Sequence, residues 1–126
     1  MEWISTYGGT ATAGPNFSYV LATRALGSSK ETLNLSTLRI ALNGAEPVDP
    51  DSVRKFIEAG ERHQMSPGAV FPAFGMAETT IAGTFPPVGR GLAVDVVDQR
   101  SLEDQKFAAP AEHGVCLLYT SDAADE

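Results

Sequence analysis

The sequence predicts an α/β fold, a partial parallel β-sheet flanked by helices, on three observations. Short apolar segments centred on Ala11, Ile40 and Val70 lie 29 and 30 residues apart, the length of a strand-helix-strand crossover joining parallel neighbours. Between them, apolar residues recur at helical rather than alternating spacing. Pro15 and Pro50 stand where those helices would begin, positions that suit proline because its φ is already helical and its missing N–H would be unpaired there anyway.

Thr10-Ala-Thr-Ala13 can form a short buried strand, which Gly14-Pro15 ends. Phe17, Val20, Leu21 and Ala25 then mark the apolar stripe of a helix. Leu38-Arg-Ile-Ala-Leu42 is the clearest strand. After it, Asp49 is placed to cap a second helix, with Pro50 at its first position, Asp51 in its positive first turn, and Val53, Phe56 and Ile57 as its buried stripe. Ala69-Val-Phe71 gives the third strand. The density of Gly and Pro from Gly83 to Gly91 reads as a turn-rich loop, beyond which Leu92, Val94 and Val96 alternate as in an edge or antiparallel strand. Trp3, Tyr7 and Phe107 are expected to pack inside, and His63 and His113 to be surface or loop residues, since neither has a second ligand at metal spacing.

Composition excludes several classes. The formal charge is −7 and there is no Lys/Arg cluster, which argues against a nucleic-acid or anionic-membrane surface. No apolar run reaches the length of a membrane span, and Met1-Glu-Trp-Ile4 lacks the basic start of a signal peptide, so a cytoplasmic location is expected. Ser28-Ser29-Lys30 lacks the glycines of a phosphate loop.

In parallel α/β sheets ligands collect beyond the carboxyl ends of the strands, and two motifs fall there. In Asn43-Gly-Ala-Glu-Pro47, Gly44 and Ala45 permit close approach of a flat ring, and neighbouring peptide groups can meet a base edge. The pentapeptide taken alone reads first as a strand-to-helix turn punctuated by Gly and Pro. In Phe71-Pro-Ala-Phe-Gly-Met-Ala-Glu-Thr-Thr80, Phe74 offers a stacking face that Gly75 leaves clear. Thr79 offers a hydroxyl to a phosphate oxygen, and Glu78 is a hard oxygen ligand of the kind Mg²⁺ accepts. Glu78 and Thr79 could otherwise be a solvated helix start.

Together, in this order and spacing, the two motifs resemble those of the adenylate-forming superfamily, most closely the fatty-acyl-AMP ligases and long-chain acyl-CoA synthetases. The resemblance covers residues 3 to 115 and implies a central fragment of the large amino-terminal domain. It implies that Asn43, Gly44, Ala45, Glu46 and Pro47 line an adenine pocket with Phe74, Gly75, Met76 and Thr79. Glu78 would then be the metal ligand, and Glu78 and Thr79 would act in catalysis. The family usually has Tyr where Phe74 stands, so stacking is kept while a phenolic contact is lost. Thr12-Ala-Gly-Pro-Asn-Phe17 also looks like a family stretch beside the acyl tunnel, though a plain turn explains it as well. The implied cofactors are ATP and Mg²⁺. The implied reaction joins a fatty acid or other carboxylate to AMP, with coenzyme A or an acyl-carrier protein as acceptor in the full-length enzyme. The phosphate loop, ribose-binding Asp and catalytic Lys of the family have no counterpart here, so the isolated chain is expected to be inactive. The alternative from another class is a small non-catalytic nucleotide-binding module. A third possibility is a chain with no stable fold, its apolar edges and faces being uncovered.

Residues 116–126, Cys116-Leu-Leu-Tyr-Thr-Ser-Asp-Ala-Ala-Asp-Glu126, look like a translated sequencing-library adapter and are expected to stand outside the fold. Asp122, Asp125 and Glu126 belong to that tail, which leaves −4 on residues 1–115. The single cysteine, Cys116, lies in it too and so carries no redox information.

Overall fold

The computed structural model describes residues 1–79 and 83–118. Its elements are helix α1 (Glu2–Tyr7), strand β1 (Ala11–Gly14), helix α2 (Asn16–Ser28), strand β2 (Ile40–Asn43), helix α3 (Pro50–Glu61), strand β3 (Val70–Pro72), strand β4 (Val94–Val97), helix α4 (Gln99–Gln105) and strand β5 (Val115–Leu118). Single 3-10 turns cover Pro67–Ala69 and Ala77–Thr79.

β1, β2 and β3 form a parallel sheet in that order, with Ala11 beside Ile40 and Ala41 beside Val70. The predicted strand centres are thus neighbours in register to within one residue. Both crossovers step the same way across the sheet, so right-handed connections place α2 and α3 on one face, where they pack together. The opposite face is less covered: Ala13 is exposed and Leu42 half-buried, while Phe71 is shielded by the ring of Phe85, stacked at 5.8 Å.

The core lies between the sheet and the two helices: Leu35, Leu38, Ala41 and Val70 meet Tyr19 and Leu26 of α2 and Val53, Phe56 and Ala59 of α3. α3 begins as its sequence dictates. Asp49 accepts a hydrogen bond from the Ser52 amide at 2.9 Å, with Pro50 at the first helical position. Hydrogen bonds from the Ser52 hydroxyl and amide hold the Asp49 carboxyl below the usual carboxylate range. A carboxyl whose value is lower in the folded state stabilises above its unfolded value, and the contribution is lost as pH falls through the folded one. Asp49→Ala is therefore expected to cost about 1 kcal/mol at neutral pH. In urea titrations the gap between variant and parent should close as pH falls below the usual carboxylate range; a gap that persists there would exclude the cap as its source.

The stripe expected on α2 is displaced. Tyr19 and Leu26 are buried, with Ala22 packed against the core, whereas Phe17, Leu21 and Ala25 are exposed. Tyr19 decides this. Its ring meets Phe56 edge-on at 4.9 Å and its hydroxyl donates to the Leu42 carbonyl at 2.6 Å, so the ring is buried with its polar end satisfied. Burial raises the Tyr19 phenol well above its ordinary value.

Other expectations are corrected too. Trp3, Tyr7 and Phe107 face outward, at 81, 80 and 62% exposure. His63 is buried rather than superficial: its Nδ1 accepts from the Leu33 amide at 2.9 Å, and its Nε2 lies 3.0 Å from the Leu26 carbonyl. With Nδ1 accepting, Nε2 carries the proton and donates, so the imidazole ties α2 to the chain that follows it.

β4 pairs antiparallel with β5, as the alternation of Val94 and Val96 predicts. α4, which the sequence did not announce, fills the connection and is capped by Asp98, whose carboxylate accepts from the Ser101 amide at 2.7 Å. Residues 116–118, expected to stand outside the fold, complete β5; residues 119–126 lie outside the described residues, as does Thr80.

Candidate functional site

The carboxyl ends of β1, β2 and β3 are laced together by their own backbone. The Gly44 amide donates to the Gly14 carbonyl at 3.4 Å, and the Ala73 amide to the Asn43 carbonyl at 2.9 Å. This approach depends on Gly44, where a Cβ would stand 2.7 Å from the Ala73 carbonyl oxygen. Ala45 follows with φ 66°, a left-handed conformation costing a non-glycine residue about 1 kcal/mol and of a kind that gathers at functional sites.

Two adjoining concavities open on these ends. One, of about 510 Å³, lies between Ala45, Glu46, Pro47 and Val48 on one side and Ala73, Phe74 and Gly75 on the other. The second, of about 540 Å³, adds Gly14, Pro15, Met76, Ala77 and Phe85 and shares the wall formed by Ala45 and Phe74. Both volumes suit a small ligand. The two sequence motifs, about thirty residues apart, thus face one crevice.

Within it the predicted residues do different things. Phe74 presents an exposed ring, while its backbone is fixed against Thr84 by paired hydrogen bonds of 3.1 and 2.9 Å. Gly75 and Met76 continue the wall. Glu78 is exposed in the 3-10 turn Ala77–Thr79, directly after the lining residue Ala77. The Thr79 side chain lies outside the described residues. Asn43 turns its side chain inward: Nδ2 donates to Asn16 Oδ1 at 3.2 Å, and buried Oδ1 has no hydrogen-bond partner. Glu46 directs Oε1 to the Phe17 amide at 2.7 Å.

Phe85 also lines the second hollow, as do Ala13, Gly14 and Pro15, where β1 gives way to α2 within the Thr12–Phe17 segment. Ala13 and Gly14 also border a third groove of about 480 Å³ running along α2 past Trp3 and Leu21. Among the described residues no group of three or more metal-binding side chains occurs, and no helix is long and apolar enough to cross a membrane.

A parallel sheet with crossover helices on one face and ligand-sized hollows at its carboxyl ends is the arrangement in which α/β domains bind ligands. No family model matches the chain. It is 45% identical over 113 residues to a protein of Mycobacterium tuberculosis whose name gives only the class ligase, covering 88% of this chain and 21% of that protein. A long-chain-fatty-acid-AMP ligase of Mycobacterium marinum is 39% identical over 116 residues, covering 88% and 18%. A medium-chain-fatty-acid-acyl-carrier-protein ligase of Moorena producens is 34% identical over 115 residues, covering 89% and 19%. Among solved structures, a fatty acyl-adenylate ligase from Legionella pneumophila, crystallised with acyl adenylate and pyrophosphate, superposes with a TM-score of 0.82 at 26% identity, covering 94% of this chain and 21% of that one. The adenylation domain of a keto acid-selecting nonribosomal peptide synthetase module gives 0.78 at 29% identity, covering 94% and 23%. The relatives and structures it matches are ligases and adenylation domains of the adenylate-forming superfamily, and the chain spans about one fifth of the length of those curated relatives. These comparisons do not favour the alternative of a small stand-alone nucleotide-binding module.

Proposed function

We propose that this chain is a central segment, residues 1–115, of a ligase that activates a fatty acid as its acyl-adenylate, and that residues 116–126 are an adapter-derived tail. The observation that carries the reading is the convergence of Ala45 and Phe74 on one crevice, together with fatty-acid-AMP ligases among the relatives.

The crevice fits the groups this reaction needs. Gly44 allows the strand ends their close approach, Ala45 is exposed beside it, and the Phe74 ring lies open for stacking; an adenine held between the two motifs would use all three. The donor set also fits Mg²⁺ held by one carboxylate, Glu78, with water and phosphate oxygens completing its shell, and does not form a protein cage. When bound, that ion neutralises charge on the phosphate oxygens. Thr79 is assigned a phosphate oxygen on the motif alone. A fatty acid lying along the groove beside α2 would bring its carboxylate to residues 13–15, where β1 gives way to α2. The reaction would need that carboxylate in line with the α-phosphorus of ATP, its oxygen forming the new bond as pyrophosphate leaves. The acyl group then passes to coenzyme A or to a carrier-protein thiol. Such a ligase works in the cytoplasm, where ATP and these acceptors are found.

The test is exchange of labelled pyrophosphate into ATP by the full-length ligase. Exchange should require both Mg²⁺ and a fatty acid; exchange indifferent to the fatty acid refutes the reading.

A further inference from the structure

We propose that Glu46 is a positioning residue that clamps the Gly44–Pro47 loop to the first turn of α2, rather than a ligand of the nucleotide; the substrate side of this inference rests on the acyl-adenylate reading above. α2 begins after Pro15, which supplies no side-chain cap. Its early amides therefore need an acceptor from elsewhere. Glu46, 29 residues away in sequence, provides one: Oε1 accepts from the Phe17 amide at 2.7 Å. A carboxylate in that position also meets the positive end of the 13-residue helix. A second tie runs beside it, from Asn43 Nδ2 to Asn16 Oδ1 at 3.2 Å.

The two ties bracket Ala45. A non-glycine residue held at φ 66° keeps that conformation only where its surroundings fix it, and Asn43 and Glu46 are the anchored residues on either side. Ala45 is also the wall shared by the two hollows, while Gly14 and Pro15, at the foot of α2, line the second. The Glu46 carboxylate thus joins the wall on the β2 side to the wall on the β1 side, and the crevice keeps its width because the two cannot separate.

A clamp and a base contact predict different results. In this chain, Glu46→Ala should speed hydrogen exchange at the Phe17 amide about tenfold or more, the factor equivalent to losing one helix cap, whereas Glu46→Gln, which keeps an acceptor oxygen, should stay within about threefold of the parent. In the full-length ligase, pyrophosphate exchange should be measured with ATP and with inosine triphosphate, which lacks the adenine amino group. Glu46→Ala should lower kcat/KM for both nucleotides by the same factor, about tenfold, and Glu46→Gln should restore both. A loss confined to ATP, a glutamine variant as impaired as alanine, or unchanged Phe17 exchange in Glu46→Ala overturns the proposal. If no variant, nor the parent, shows fatty-acid-dependent exchange, the acyl-adenylate reading fails, and the Phe17 amide still decides the clamp.

Discussion

Glu78→Ala in the full-length ligase is expected to slow fatty-acid-dependent pyrophosphate exchange by about 100- to 1000-fold, the scale on which removal of one preorganised electrostatic group acts. The size follows from the donor set. Among the described residues no three metal-binding side chains cluster, and Glu78 stands exposed in the turn that leaves the crevice. On the proposed reading, Glu78 is the carboxylate among the described residues that would attach the ion to the protein. Raising the Mg²⁺ concentration should recover part of the loss in Glu78→Ala, because mass action offsets a weakened site. Because the side chain is exposed and makes no core contact, the melting temperature should be unchanged. Exchange at the parent rate in the variant would remove Glu78 from the metal site.

Phe56→Ala is expected to lower stability by about 3–5 kcal/mol, a large share of the roughly 5–15 kcal/mol available to a domain. Phe56 is 1% exposed and meets Tyr19 edge-on at 4.9 Å, so its removal opens a cavity between α2 and α3 and strips the Tyr19 ring of its packing. The same Tyr19 donates to the Leu42 carbonyl at the end of β2, and damage should spread to the loop that β2 positions. A urea midpoint displaced without a change in slope is the expected signature. Phe107→Ala is the control: at 62% exposure it should alter stability by no more than about 0.5 kcal/mol. A loss below about 1 kcal/mol in Phe56→Ala would mean that α2 and α3 do not close over a common core.

The legible parts of this molecule are those fixed by local chemistry. Asp49-Pro50 starts α3 because a carboxylate cap and a proline need only residues within one turn. The stripe of Val53, Phe56 and Ile57 was readable because α3 has one strongly apolar side and polar residues on the other. α2 defeated the same method: it carries apolar residues nearly all round, and which side turns inward was settled by a hydroxyl finding a carbonyl on β2. The short helices α1 and α4 left little signal, since six or seven residues hold too few turns for a period to show. His63 had no recognisable partner in sequence because its two partners, the Leu33 amide and the Leu26 carbonyl, are backbone groups 30 and 37 residues away.

By itself, then, the sequence determined the crossover spacing, the parallel order of β1, β2 and β3, and the two motifs at their carboxyl ends, because strand period, crossover length and turn chemistry act over a few residues. Only the tertiary structure decided that Asn43 points inward, that Glu46 caps α2, and that Gly14, Pro15 and Phe85 share walls with Ala45 and Phe74. Those relations join residues far apart along the chain, and they follow from how the ends of three strands close on one another, which no local pattern records.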